Sequence, residues 1–369
     1  MRTGLLLFRS CMSFGRRGLL HQHHIQLGSI VGQHPPPTWI DFKSLSSTSL
    51  STSFFDAPDP PKSHGTPVFP DIKFDNTNKR DDNHASIMRN SDAQAVFIVN
   101  GSSRGIGLQF VKSLLKRTKG KVVACCRSPA AADTLINIAS EYPDRIQIFP
   151  LDMEDQSSIN TFASTMARNY RRVDALFNVA GILGDGKTTS GPERSLASIE
   201  RFWMEKTLAV NVVGPTMLVK ALSPLMRSTG RRSVKMITTS VLDDNQTDQV
   251  EIALPTGRPP TVIANLSARV GSISDNRLGG WYTYRLSKAA LNQATRTMGH
   301  ELKRQGTWIV ALHPGTTDTE LSKPFQGNVR EGRLFPVEFT VDKLLSVVES
   351  MEEHHSGGFY DWAGKALPF

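Results

Sequence analysis

From residue 93 onward the chain alternates short β-branched or apolar runs with longer amphipathic stretches, and nothing else in it constrains the fold as much. The run 95–99, Ala-Val-Phe-Ile-Val, is apolar at every position, as a strand buried on both faces must be. Similar runs occupy 122–126, 146–151, 173–178, 261–266 and 307–312, with helical patterns such as 108–116 and 157–170 between them. Strands separated by helices join through right-handed crossovers into a doubly wound parallel sheet. The expected fold is a Rossmann-like α/β domain of about seven strands, a single domain over 93–369, binding its ligands beyond the carboxyl ends of the strands.

One region breaks the rhythm. Residues 233–240 read as strand, 241–260 are polar, acidic and then Pro-rich, and 261–266 read as strand again. The second run leads directly into a Ser-containing segment and is taken as the sheet strand. Residues 233–260 are then an insertion, expected to form a hairpin arm.

Directly after the first strand comes Asn100-Gly101-Ser102-Ser103-Arg104-Gly105-Ile106-Gly107, followed by a helix. Glycines there allow positive φ and let main chain approach a pyrophosphate closely, while the N–H groups of the helix's first turn face the anion. A tight strand-to-helix turn could use the same residues, so the triplet carries weight only through its place. Dinucleotide contacts are expected from Gly101, Ser103, Arg104, Gly105, Ile106 and Gly107. The second strand ends in Arg127 where NAD-selective sites place an acid on the ribose 2′-hydroxyl. Arg104 and Arg127 can grip a 2′-phosphate with charge-assisted bonds, which favours NADP(H) with NAD(H) second; both could also be plain solvated arginines.

Further along, Tyr284-Arg285-Leu286-Ser287-Lys288 opens a helix, and a spacing of four puts Tyr284 and Lys288 on one face. A free phenol titrates near pH 10 and exchanges protons poorly at neutral pH. A neighbouring ammonium favours the phenolate, so Lys288 is expected to lower the pKa of Tyr284 as well as hold the nicotinamide ribose. No metal is expected, because the cofactor carries the difficult chemistry.

Taken together with Asn178-Val179-Ala180-Gly181, Asn211 in Val210-Asn211-Val212, and Pro314-Gly315, these motifs resemble the short-chain dehydrogenase/reductase family in order and, outside the insertion, in spacing. They span nearly all of 93–369. The segments Asn265-Leu266-Ser267-Ala268-Arg269-Val270-Gly271-Ser272, Gly279-Gly280-Trp281-Tyr282 and Phe359-Tyr360-Asp361-Trp362 are similar to its C-factor and sniffer-type carbonyl reductase branch. The resemblance implies hydride transfer between NADP(H) and a carbonyl or alcohol, with Tyr284 as general acid/base and Lys288 beside it. It implies that Asn211 holds a relay water and that Asp152 and Met153 contact adenine. It also implies that Asn178, Ala180 and Gly181 flank the cofactor, and that Pro314, Gly315, Thr317 and Thr319 pass the carboxamide. Asp152 could instead cap a helix. The family's catalytic serine falls on Ala268, so Ser267 is expected to polarise the carbonyl, with Ser272 and Ser274 as alternates.

The first forty residues contain no Asp or Glu, and Arg2, Arg9, Arg16 and Arg17 are interleaved with apolar residues. That is the signature of an organelle transit peptide, expected over 1–42, with the mitochondrial matrix first, a plastid second and the cytoplasm third. Residues 43–92, rich in Ser, Thr, Pro and Asn, are expected to be a disordered linker. The apolar run 5–8 is far short of the about 20 residues a membrane span needs. Of the net charge of +9, the N-terminal arginines carry a good part, and the later basic residues are scattered, so nucleic acid is not an expected partner. Three cysteines are too few for a disulfide framework. The expected partner is a small carbonyl or alcohol, with room for a homo-oligomer. A rival from another class is an NADP(H)-binding signalling or scaffold protein of C-factor type with little turnover.

Overall fold

The computed structural model describes residues 69–74, 84–184, 192–230, 233–239 and 247–369. The segment expected to be a transit peptide lies outside them. Seven parallel strands form the central sheet: β1 (Val96–Asn100), β2 (Lys121–Cys126), β3 (Ile146–Pro150), β4 (Ala175–Asn178), β7 (Thr261–Leu266), β8 (Thr307–His313) and β11 (Phe359–Asp361). Their spatial order is β11-β8-β7-β4-β1-β2-β3. The order reverses between β1 and β4, where Asn100 pairs with Asn178 on one side and Cys125 on the other. This switch point opens a crevice at the carboxyl ends of the strands.

Alternate residues of β1 feed opposite cores, as the two-residue period of a strand requires. Phe97 and Val99 pack with Phe110 and Leu114 of α2 (Gly105–Arg117) and Val341 and Leu344 of α8 (Val337–Glu349). Val96 and Ile98 pack with Ile159 and Phe162 of α4 (Gln156–Asn169) and Leu218 and Leu222 of α6 (Gly214–Leu222). The helices α3 (Asp133–Glu141), α5 (Arg201–Leu208) and α7 (Tyr282–Leu302) complete the layers. The run Arg201–Met226 is the one helix among the described residues long and apolar enough to cross a membrane. Its Leu218, Val219, Leu222 and Leu225 lie in the core.

The stretch 233–260 folds as an antiparallel hairpin of β5 (Ser233–Thr239) and β6 (Thr247–Ala253), and β7 is the sheet strand. Thr261 Oγ1 donates to Met226 O at 2.6 Å, so the hairpin leaves and rejoins the sheet at the amino end of β7. It stands at the opposite end from the glycine turn. A short parallel pair, β9 (Thr316–Thr317) and β10 (Leu334–Phe335), sits in the loops after β8.

The linker expectation fails for part of 43–92. Phe69 (9% exposed) and Ile72 (2% exposed) enter the core, and Ile72 N donates to Gly364 O at 2.8 Å. Helix α1 (His84–Ser91) follows, with Arg89 Nη1 donating to Pro260 O at 2.9 Å. Composition averaged over fifty residues hid these few apolar anchors.

Candidate active site

At the glycine turn, Gly101 adopts φ 82°, and a Cβ there would stand 2.6 Å from Ala180 N. A Cβ on Gly107 would lie 2.0 Å from Gly101 O. The turn therefore admits no side chain at either place, and it brings α2 end-on towards β4. Arg104 precedes the helix in extended conformation and makes no side-chain cap, so no side chain competes for an anion there. Ser103 and Ile106 complete the turn. Across the crevice, Thr319 Cγ2 would lie 3.5 Å from a Cβ on Gly105, so the loop after β8 reaches the glycine turn. That loop is fixed from within: Ser322 Oγ donates to Thr317 O at 2.6 Å, and the Thr317 and Thr340 hydroxyls meet at 2.9 Å. Gly315, after Pro314, takes φ 73° with the Phe335 ring against its Cα.

Arg104 and Arg127 are both exposed and form no ion pair among the described residues. Asp152 Oδ1 accepts from Glu154 N at 3.0 Å, and α4 is capped by Asp155, whose carboxylate accepts from Ser157 N at 2.8 Å. The capping alternative for Asp152 is thereby settled against. Met153 is buried in the core, with its Sδ accepting from Asn100 Nδ2 at 3.0 Å. An adenine contact from Met153 would have to come from its main chain.

Tyr284 and Lys288 rise from the first two turns of α7, and Lys288 Nζ lies 5.5 Å from the Tyr284 ring centroid. Lys288 is buried and donates to Leu266 O at 2.8 Å. A Cβ on Gly181 would be 3.6 Å from Lys288 Nζ and 3.3 Å from Asn211 Oδ1, so the segment after β4 closes on both. Burial pulls the Lys288 ammonium down to about 8 and pushes the Tyr284 phenol up. The expected lowering of the phenol by its lysine is thus reversed in the chain alone. Desolvation, which disfavours whichever form is charged, outweighs the attraction of an ammonium at that distance.

Asn211 sits in a turn of π-helix, Ala209–Val213, between α5 and α6. Its amide is held at both ends: Nδ2 donates to Ile182 O at 2.9 Å and Ser287 Oγ at 3.0 Å, and Oδ1 accepts from Ile182 N at 2.9 Å. Asn178 Nδ2 donates to Asn265 Oδ1 at 2.8 Å, and Asn265 Nδ2 continues to Thr295 Oγ1 at 2.9 Å. Ala180 N donates to Asn100 O at 3.1 Å.

Ser267 does not take the place expected of it. It is 2% exposed, and its hydroxyl donates to Asn292 Oδ1 of α7 at 2.6 Å. Side chains alternate along β7, so a shift of one residue from position 268 turns the hydroxyl into the sheet–helix interface. The alternates are engaged as well. Ser272 Oγ accepts from Asp275 N at 3.1 Å, and Ser274 Oγ donates to Phe369 O at 2.6 Å. Ala268 offers no hydroxyl, while Ser272, which accepts from Asp275 N, keeps its own hydrogen to donate.

Two features escaped the sequence reading. Glu193, in the loop after β4, bonds to the first turn of α7, and nothing in its neighbourhood of the sequence signals that partner. His313 lies at the end of β8 with its Nδ1 buried and unpartnered, and burial together with Arg269 lowers its pKa to about 3.

A parallel sheet with this strand order, a glycine turn at its switch point and a Tyr–Lys pair on the helix after β7 define a dinucleotide-fold dehydrogenase site. The short chain dehydrogenase family model matches residues 95–249 and 257–329, and the chain belongs to that family. Among solved structures it is similar to the NADPH-bound carbonyl reductase from chicken fatty liver. That match has 27% identity and a TM-score of 0.60, and covers 75% of this chain and 99% of the other. The carbonyl reductase Sniffer of D. melanogaster matches at 26% identity and a TM-score of 0.59, covering 75% and 100%. The C-signal of Myxococcus xanthus is 29% identical over 197 residues, 53% of this chain and 93% of the relative.

Proposed function

We propose that the chain is an NADP(H)-dependent carbonyl reductase in which Tyr284 protonates the substrate oxygen. The observation that carries this reading is the convergence of Tyr284, Lys288 and the Gly181 segment beside a glycine turn that no side chain can enter. Two solved relatives of the same fold bear the name carbonyl reductase, and one of them holds NADPH.

The residues fit such a cofactor. The uncapped start of α2 suits the pyrophosphate, and unpaired Arg104 and Arg127 suit a 2′-phosphate. Pro314, Gly315, Thr317 and Thr319 suit the nicotinamide end, since Thr319 borders Gly105 across the crevice. When bound, the reduced nicotinamide supplies hydride to a carbonyl carbon. Tyr284 holds its proton through neutral pH, because burial raises the phenol, and releases it to the developing alkoxide. Lys288, still cationic at pH 7, stabilises the phenolate left behind. Asn211 acts as a positioning residue. With its Nδ2 spent on Ile182 and Ser287, a relay water would be held by Oδ1 or by the main chain of the π-turn, a feature often found at functional sites.

The test is NADPH oxidation against a panel of aldehydes, ketones and quinones, by the parent chain and by Tyr284→Phe. We expect turnover by the parent and a loss of roughly 10²-fold or more in the variant, with NADPH binding retained. Ala268 and the engaged serines favour a second reading, a cofactor-binding signalling protein like the C-signal relative. Tight NADPH binding without turnover of any carbonyl would establish it. We further propose that the N-terminal segment directs import into mitochondria.

A further inference from the structure

The helix that carries Tyr284 begins in an unusual way. Trp281, its N-cap, has φ 54° and ψ 39°, in the left-handed region. For a residue with a Cβ that conformation costs about 1–2 kcal/mol, so its surroundings must hold it there. Trp281 N donates to Glu193 O at 2.5 Å. Arg285 Nε donates to Gly280 O at 3.0 Å, just upstream. The Trp281 ring meets the Tyr284 ring edge-on at 6.2 Å and the Phe325 ring at 5.0 Å. Loops from three different crossovers therefore meet one residue, three positions before the phenol.

Glu193 adds a second bond through its side chain. The residue is 8% exposed, and its carboxylate accepts from Thr283 N at 3.3 Å and also from the Thr283 hydroxyl. It forms no ion pair among the described residues, so its charge is met by Thr283 and by the positive end of α7. A buried carboxylate is costly unless its oxygens are satisfied. The pairing is therefore specific in geometry: moving Glu193 away from Thr283 strands a charge, and moving Thr283 away strands two donors. Tyr284 is the next residue.

We propose that Glu193 is a positioning residue for Tyr284, fixing the first turn of α7 so that the phenol meets the substrate oxygen. The inference rests on the proposed function and deepens it. Glu193 touches neither substrate nor cofactor; it acts through Thr283 and the helix backbone. The glycine turn lies on other elements and Lys288 is anchored separately on Leu266 O, so most of cofactor binding does not pass through the lock.

The test uses the full chain with Glu193→Leu, Thr283→Val and the double variant. Glu193→Leu keeps the approximate size and the main-chain bond to Trp281, but offers the Thr283 N–H and hydroxyl no acceptor. Turnover number, KM for NADPH, KM for the carbonyl and the thermal midpoint are measured for each. We expect the turnover number to fall about 10-fold or more in both single variants, the scale of a sub-ångström to ångström misplacement of a catalytic group. KM for NADPH should stay within about 2-fold, since the lock leaves the glycine turn alone. The double variant should be no worse than the poorer single, because the two groups act as one contact. An unchanged turnover number in Glu193→Leu, losses that multiply in the double variant, or a parallel rise of both KM values would overturn the proposal while leaving the carbonyl reductase reading in place. A parent chain that binds NADPH but reduces no carbonyl would overturn both.

Discussion

At the scale of single residues, what sets this site apart is the missing hydroxyl at position 268. Ser267 is turned onto Asn292, so neither 267 nor 268 supplies the hydroxyl that the family pattern places beside the phenol. Ala268→Ser should therefore raise the turnover of unactivated ketones more than that of quinones, by up to the roughly 10-fold that one added neutral hydrogen bond can provide. An equal or smaller rate for every ketone would show that the oxygen does not pass position 268. Cofactor choice is also a matter of single residues. Arg127 is exposed and unpaired, and a charge-assisted bond to a 2′-phosphate is worth about 1.5–3 kcal/mol. Arg127→Asp should reverse a preference for NADPH over NADH, measured as the ratio of kcat/KM values. A parent chain with no preference would remove the argument.

At the scale of elements, the interface between α7 and the sheet is polar where most such interfaces are apolar. Asn178, Asn265 and Ser267 face Thr295 and Asn292, and Ser267 N donates to the carbonyl of Leu312, the residue before His313. Such a layer ties the helix to the strands at defined positions, because each polar group must find its own partner. His313 makes the layer sensitive to acid. Its folded pKa of about 3 lies below the usual 6.5, through burial and then Arg269. Between those values the unfolded chain takes up a proton that the folded chain does not. Stability from this group is complete above pH 6.5 and is lost as the pH falls towards 3, by up to about 1.4 kcal/mol per unit. The parent should therefore lose stability relative to His313→Asn as the pH drops from 6.5 to 4.5, measured by denaturant unfolding. A difference that does not change with pH would mean that the imidazole takes up its proton in the folded chain.

At the scale of the whole molecule, the described residues just upstream of the family match, 69–74 and 84–94, are part of the fold. Phe69 packs edge-on against Tyr360 at 6.4 Å and beneath Arg296 at 4.5 Å, and Asp92 pairs with Arg172 at 2.9 Å. A cut after Phe69 would therefore remove part of the core. A chain starting at Val68 should melt like the full chain. One starting at Ala93 loses burial worth about 1.5–3 kcal/mol for each of Phe69 and Ile72, and should melt roughly 5 °C lower or more. Equal melting of the two would show the upstream segment to be dispensable. A reporter fused to residues 1–60 should enter mitochondria, and a cytosolic reporter would refute the import proposal.

The fold class, six of the seven sheet strands, the glycine turn and the Tyr284–Lys288 pair were legible in the sequence, because each depends on local spacing, whereas the three-residue β11 was not. A strand buried on both faces must be apolar throughout, a main chain packed against Ala180 must be glycine, and two residues four apart on a helix share a face. The tertiary structure decided the rest. Whether Ser267 points into the site depends on the phase of β7 against α7, which a one-residue shift inverts. Whether Tyr284 is raised or lowered depends on how much water packing removes, set by chain far from residue 284. That Glu193 caps α7, and that Phe69 and Ile72 complete a core assembled beyond residue 93, follow from contacts between distant segments. Spacing along the chain encodes what neighbours do to one another; burial and long-range partners exist only once the chain has folded back on itself.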